Sequence, residues 1–243
     1  MKPLISIITV VYNASLTIED SIKSVIGQKT KNYQYIIIDG ASNDGTVDII
    51  KKYSNNIDVF LTEKDKGIYD AMNKGLDASE GEYVYFLGAD DFLHSDSLTT
   101  DLLTFIQDKR PDLILGNIKY THGQVITPVF NHKLLLHNSV HHQGTFYLSK
   151  HFNSFRYDIS FKLISDYELN LNLYLARKSL KLLFIDYIIA LCTDNGMSRS
   201  HIDLSLHETN KIRRKCLNII PSIFLSLIYA VKLKIWNVRY NKL

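Results

Sequence analysis

An α/β protein with a mostly parallel, Rossmann-like central sheet and helices on both faces is what the 243-residue sequence predicts. Three observations lead there. Short runs rich in Ile, Val and Tyr recur between Leu4 and Leu87, and they have strand length rather than helix length. Segments with helical apolar spacing separate them. Each apolar run ends on polar or acidic residues: Asn13, Asp39, Glu63 with Asp65, and Asp90 with Asp91. On parallel sheets, ligands sit at those carboxyl ends.

Residues 4–12 read as the first strand, rich in Ile and Val as a buried parallel strand should be. Ser15 can cap a helix to Gln28 that places Ile18, Ile22, Val25 and Ile26 on one face. Residues 33–39 form a second strand, which stops at the turn-rich stretch Asp39-Gly40-Ala41-Ser42-Asn43-Asp44-Gly45. A short helix over 46–53, a strand over 57–62, a helix over 67–78 and a strand over 83–87 follow. Gly88-Ala89-Asp90-Asp91 closes the last of these. The second half is less regular, with strands near 113–120, 124–127, 144–148 and 182–191 and a helix from about 165 to 177.

Composition excludes several classes. With 46% hydrophobic and 22% charged residues the chain is not disordered. Two cysteines cannot build a disulfide scaffold or a four-cysteine zinc site. The charge is uneven. Of 28 Lys and Arg, eight lie after Thr209, where there is no Asp or Glu, so the body keeps 20 against 25 acids. We read residues 1–208 as the folded domain and 209–243 as a basic, amphipathic helical tail. The apolar stretch 222–236 is shorter than the roughly 20 residues a spanning helix needs, and Lys232 and Lys234 interrupt it. Cations flanking an apolar run point to anionic lipid rather than nucleic acid. The expectation is a cytoplasmic protein resting on the inner face of the membrane, with a tail helix packed on the core as the alternative.

The chemistry must come from the strand ends. Adjacent Asp90 and Asp91 make a concentrated negative site, which a hard divalent cation with phosphate co-ligands would neutralise. The alternative is spare acids ahead of a helix starting at Ser95. Asp39 can accept hydrogen bonds from a ribose or a base, or serve only as an Asx turn. No G-x-G-x-x-G follows the first strand and no P-loop occurs. Ala41 stands where a haloacid-dehalogenase-type phosphatase needs its second Asp. The stretch from Glu63 to Gly75 gathers charge, an aromatic and glycine at a helix mouth. There Gly67 permits close backbone approach and the helix N-terminus can meet an anion, which makes Lys66, Gly67, Asp70 and Asn73 candidate substrate-binding residues; the alternative is a solvated helix start. His132, His137, His141 and His142 crowd one segment, read as a polar acceptor loop rather than a zinc site.

Residues 6–13, 39–46, 66–75 and 86–91 together resemble family-2 glycosyltransferases of the GT-A fold, closest to bacterial enzymes of O-antigen, capsule or exopolysaccharide synthesis. The resemblance covers roughly residues 3–200. It implies that Tyr12 and Asp39 hold the nucleotide base, that Asp90 faces the ribose, and that Asp91 binds Mn²⁺ or Mg²⁺ beside the diphosphate. Asp166, in Ser165-Asp166-Tyr167-Glu168, matches the family's base, and His142-Gln143 matches a His-Gln pair that precedes it. Two departures stand out. Val10 and Val11 replace a frequent Pro-Thr, and Gly88 replaces the first Asp of the D-x-D form. The implied activity is an inverting, metal-dependent transfer from a nucleotide sugar, most simply a UDP-sugar, to a polyprenyl-diphosphate-linked saccharide. A non-catalytic nucleotide-sugar-binding or membrane-tethered assembly module is the alternative.

Overall fold

A computed structural model describes residues 2–194, 202–217 and 219–240. Its core is a nine-stranded sheet with the order β3-β2-β1-β4-β8-β6-β9-β5, β7 pairing outside this path with β6. The first half follows the sequence reading. Strands β1 (Ile5–Val11), β2 (Tyr33–Asp39), β3 (Val59–Thr62) and β4 (Tyr83–Gly88) alternate with helices α1 (Ile18–Ile26), α2 (Thr46–Lys51) and α3 (Ile68–Asp77). Strand β1 lies between β2 and β4, parallel to both, and β2 pairs in parallel with β3. Consecutive side chains of a strand leave the sheet on opposite faces. Accordingly Ile5, Ile7, Tyr35 and Ile37 pack with α1, α2 and α4 (Thr100–Lys109), while Ile8, Ile36 and Ile38 pack with α3 and α5 (Ser165–Leu175). Both faces are covered, which is why these strands read as continuous apolar runs.

The second half mixes strand directions. Strand β8 (Thr145–Leu148) runs antiparallel to β4 and to β6 (Leu113–Tyr120), and β9 (Leu182–Cys192) returns parallel to β6. Two successive reversals therefore leave β6 and β9 pointing the same way as β4, so their carboxyl ends share its edge. The two-residue β5 (Phe92–Leu93), antiparallel to β9, was not anticipated, and α4 begins at Thr100 rather than at Ser95. The remaining short strand, β7 (Val125–Ile126), forms a hairpin with β6.

Helix α5 is buried on nearly every side, from Ser165 to Leu171 and again at Leu173 and Tyr174. One side meets the sheet. The other is covered by α6 (Ile202–Leu217), which α7 (Ile219–Tyr240) follows in the chain. The boundary expected between 208 and 209 therefore falls inside α6. Ile212 and Arg213 in that helix are fully buried. Arg213 was expected among lipid headgroups, and it is instead an internal residue. Its guanidinium donates to the Leu136 carbonyl and the Ser226 hydroxyl and lies over the Tyr229 ring. Lys215 pairs with the buried Glu168 at 2.6 Å. On α7, Ile220, Ile223, Phe224, Leu227 and Ile228 face outward as one exposed stripe. The side chains of Lys232, Lys234, Trp236 and Arg239 lie outside the described residues. Among the described residues no helix is long and apolar enough to cross a membrane.

One contact on the α3 face sets a testable limit. A methyl group on Gly75 would press into the Cγ2 of Ile8, which is fully buried on the central strand. Glycine inside a helix costs about 1 kcal/mol relative to alanine, whereas overpacking a close-packed core costs about 1–3 kcal/mol. Ile8 has no solvent to retreat into, so overpacking dominates. Gly75→Ala should lower stability by roughly 1–2 kcal/mol in denaturant titration. A stabilised variant would show that α3 can lift from the sheet at no cost.

Candidate active site

Strand register brings the predicted residues to one edge. Val11 pairs with Asp39, Asp39 with Thr62, and Val10 with Gly88. The loops beyond these pairs enclose a cleft of about 630 Å³, whose lining includes Tyr12, Asn13, Asp65, Gly67, Asp90 and His142.

At one end of the cleft the loops after β1 and β2 are laced together. Asn13 and Ala14 donate backbone N–H groups to the hydroxyls of Ser42 and Thr46, and the Asn13 side chain accepts from Asn43 N. Asp44 takes Ser15 N on one oxygen and Thr46 on the other. Those hydrogen bonds, Thr46 foremost, hold its carboxyl well below the usual carboxylate range. Asp39 is fully buried beneath these loops. Its Oδ2 accepts from Thr62 Oγ1 at 2.6 Å and from Ser42 N at 3.1 Å. Its Oδ1 is buried with no hydrogen-bond partner among the described residues. The Asx-type turn is therefore real, and it uses only one of the two oxygens. Tyr12 is 63% exposed on the cleft rim, close to Gly40 and Asp65.

Asp90 and Asp91 follow β4. Thr193, just past the end of β9, binds both: its hydroxyl donates to Asp90 Oδ2 at 2.6 Å and its N–H to Asp91 Oδ1 at 3.1 Å. Gln143 donates its side-chain amide to Asp91 Oδ2 at 3.1 Å, while its carbonyl accepts from Tyr85. Asp91 is only 4% exposed, and burial, reinforced by the charge of Asp90, raises its pKa. Gly88 has a steric reason. A Cβ there would lie 2.5 Å from Asp91 Oδ2 and 3.1 Å from Asp90 Oδ1. The aspartate of the D-x-D form would collide with the two acids this chain keeps.

Asp166 occupies the first turn of α5, nearly buried. Asn138 donates to its Oδ2 at 2.8 Å, and His142 Nδ1 lies 3.5 Å from the same oxygen. The dipeptide His142-Gln143 thus faces Asp166 with one side chain and Asp91 with the next. Neighbouring residues are about 3.8 Å apart along the chain, so the two acids are held on either flank of a single peptide unit.

The helix-mouth residues divide. Gly67 lines the cleft with φ 118°, and its N–H is held by Asp65. Lys66 is exposed, and its N–H is capped by Asp70, which also pairs with Lys74. Asn73 faces away from the cleft. Both atoms of its amide are spent on the backbone of Tyr157, each at 2.9 Å. Asp70 and Asn73 are therefore brought to the helix, not to the cleft wall. The sequence reading missed Thr193, Asn138, Thr62 and Ser42. Thr193 was within reach of the rule that located Asp39, since it is the first polar residue after an apolar strand. Nothing local distinguishes Asn138 in its segment.

Residues 6–165 match the family described as Glycosyl transferase family 2. A PGL/p-HBAD biosynthesis glycosyltransferase of Mycobacterium bovis (strain BCG / Pasteur 1173P2) is 26% identical over 209 residues, covering 83% of this chain and 81% of its own. The putative teichuronic acid biosynthesis glycosyltransferase TuaG of Bacillus subtilis (strain 168) is 41% identical over 104 residues, 42% of this chain and 41% of that protein. Among solved structures, S. aureus TarS 1-349 in complex with UDP-GlcNAc superposes with a TM-score of 0.72 at 19% identity, over 87% of this chain and 65% of that one. The mannosyltransferase PcManGT of Pyrobaculum calidifontis, in complex with GDP-Man and Mn2+, gives a TM-score of 0.60 at 12% identity, over 99% of this chain and 76% of that one. At these identities the two structures establish the GT-A fold.

Asp91 has a measurable effect on stability. A carboxyl whose pKa is raised on folding binds its proton more tightly in the native state, so stability declines as pH rises through that window and stays lower above it. Asp91→Asn removes the buried charge while keeping the shape. The variant should melt at a higher temperature than the wild type at pH 7, and the gain should shrink toward pH 4. A lower melting temperature at pH 7 would mean that the bonds from Thr193 and Gln143 outweigh the burial cost.

Proposed function

Because the chain belongs to glycosyl transferase family 2, we propose that it is an inverting enzyme that moves a sugar from a UDP-sugar to a lipid-linked saccharide in surface-polysaccharide synthesis. The observation that carries this reading is the His142-Gln143 bridge. It sets an acid suited to the donor's diphosphate beside an acid suited to the acceptor's hydroxyl.

The geometry supports a role for each residue. Asp39 keeps an unpaired Oδ1, and a buried acceptor left unsatisfied costs about 1–3 kcal/mol. A base or ribose donor would relieve that cost, and Tyr12 offers an exposed ring on the rim against which a base can stack. Gly67 and the start of α3 lie at the same mouth, with Lys66 next to them in the chain, and an anion is favoured there. At the other end Asp166 accepts the proton of the attacking hydroxyl. Asn138 and His142 both contact one of its oxygens, Oδ2, and so fix the carboxylate in orientation. Inversion requires one such carboxylate on the acceptor side of the sugar.

A divalent metal fits the residues present. Gly88 leaves the oxygens of Asp90 and Asp91 facing a space that any side chain would fill, and carboxylates are the donors that Mn²⁺ or Mg²⁺ prefers. Among the described residues no three His, Cys, Asp or Glu side chains form a metal site. Asp91, with Asp90, would hold the ion, and phosphate oxygens and water would complete it. When bound, such an ion stabilises charge on the leaving diphosphate.

The lipid side of the proposal rests on α7. Its stripe of Ile220, Ile223, Phe224, Leu227 and Ile228 is exposed, and no acidic residue occurs after Glu208. A helix of this kind lies in the headgroup region with its apolar face inward. That brings a cytoplasmic enzyme to the membrane face that carries a lipid-linked acceptor.

Two experiments test these readings. In a screen of nucleotide sugars with Mn²⁺, slow release of UDP is expected from one UDP-sugar and none in excess EDTA. Asp166→Asn should lower turnover about 10²- to 10⁴-fold with the affinity for UDP unchanged. Turnover that survives in EDTA removes the metal, and an Asp166→Asn variant that binds UDP poorly but turns over normally removes the base.

Truncation after Asn218 deletes α7 and leaves α6 in place. The shortened protein should fold, bind UDP as before and no longer sediment with anionic phospholipid vesicles. Undiminished sedimentation would take α7 out of the mechanism, and an unfolded product would make it a structural helix.

A further inference from the structure

We propose that Glu208 is a positioning residue for Asp166, acting from α6 on the segment that delivers this acid to His142 on the cleft wall. The inference rests on the reading of Asp166 as the base. Glu208 is 4% exposed, and its carboxylate gathers three consecutive backbone N–H groups: Lys162 at 2.7 Å, Leu163 at 3.0 Å and Ile164 at 3.2 Å. These residues run directly into Ser165 and Asp166. Ile164 stands at the N-cap position of α5 and supplies no side-chain cap of its own. A full negative charge facing successive N–H groups makes short, charge-assisted bonds. The chain entering α5 is therefore fixed by a residue some 40 positions later in sequence.

The same helix holds the other side of Asp166. Arg213 donates to the carbonyl of Leu136. Two residues on, Asn138 donates to Asp166 Oδ2 and accepts from Asn170 of α5. Helix α6 thus anchors both the backbone that carries the acid and the loop that carries its hydrogen-bond donor. A base must meet its proton within hydrogen-bond reach, and a misplacement of about 1 Å can cost about 10²-fold in rate. A stability role alone would predict a uniform effect of Glu208 on the fold. A positioning role predicts an effect confined to the acceptor side.

Glu208→Gln keeps the volume but withdraws the charge and turns an N–H₂ group toward the N–H groups. Two quantities are measured: the affinity for UDP with Mn²⁺, and UDP release from the UDP-sugar selected in the donor screen. We expect UDP affinity within about twofold of wild type and turnover lowered about 10- to 100-fold. Glu208→Asp, which keeps the charge one methylene shorter, should recover part of the turnover. In an Asp166→Asn background, Glu208→Gln should cost nothing further, because it acts through Asp166. Unchanged turnover in Glu208→Gln overturns the proposal, and so does a loss of UDP affinity in step with turnover or an added loss in the Asp166→Asn background. If Glu208→Gln does not fold, Glu208→Asp carries the test, and equal losses of UDP affinity and turnover in it have the same meaning. Normal turnover in Asp166→Asn alone would instead remove the base reading and leave the contacts of Glu208 as structural.

Discussion

Three carboxylates, those of Asp39, Asp91 and Asp166, are buried at one edge of the sheet, and the rest of the site is organised by the donors they require. A carboxylate taken out of water must be met by N–H or O–H groups, or it will be protonated or expelled. Each acid recruits its donors from a different part of the chain. Asp39 is met by Thr62 of β3 and the loop at Ser42, Asp91 by Thr193 after β9 and Gln143 before β8, and Asp166 by Asn138 and His142. For Asp91 the donors come from the second half of the sheet, while the acid itself is presented by the parallel first half. Joining the halves through β8 is what places Gln143 opposite Asp91 and His142 opposite Asp166.

Satisfaction is deliberately incomplete. Asp39 keeps one oxygen without a partner among the described residues, and Asp91 sits against the like charge of Asp90. Both arrangements cost folding energy, the first through a buried acceptor that meets no donor and the second through like charges held close together. That is the usual trade between stability and function at a site of this kind. Gly88 belongs to the same trade. Its missing side chain is the space into which the two acids point.

The parallel core was legible because its signals are local. Runs such as residues 33–39 carry their own period, and an acid after a strand end is placed by topology alone. Thus Asp39, Asp90 and Asp91 came from strand-end position, while Asp166 and His142-Gln143 came from family resemblance. Direction in the second half was not legible, since a β8 read from sequence does not state which neighbours it pairs with. Asp70 and Asn73 show a further limit. Their motif is at the helix mouth, yet their side chains turn to Lys66 N and to the backbone of Tyr157. Arg213 misled for a different reason. Cations beside an apolar run read as a lipid-facing surface, and only the fold reveals a carbonyl 77 residues away waiting for that guanidinium. The buried Glu208 escaped notice in the same way, because its partners are backbone groups, which sequence patterns do not mark.

The central claim is that one cleft holds a nucleoside diphosphate between Asp39 and Asp91, with Asp166 facing the opposite side. The most direct test is a crystal structure with UDP and Mn²⁺, with anomalous scattering recorded at the manganese edge. The account predicts an anomalous peak on the carboxylate of Asp91 between the protein and the diphosphate. It also predicts the uracil or ribose hydrogen-bonded to Asp39 beside the Tyr12 ring, and Asp166 left clear of the nucleotide. A diphosphate bound away from Gly88, or manganese held without Asp91, would contradict it.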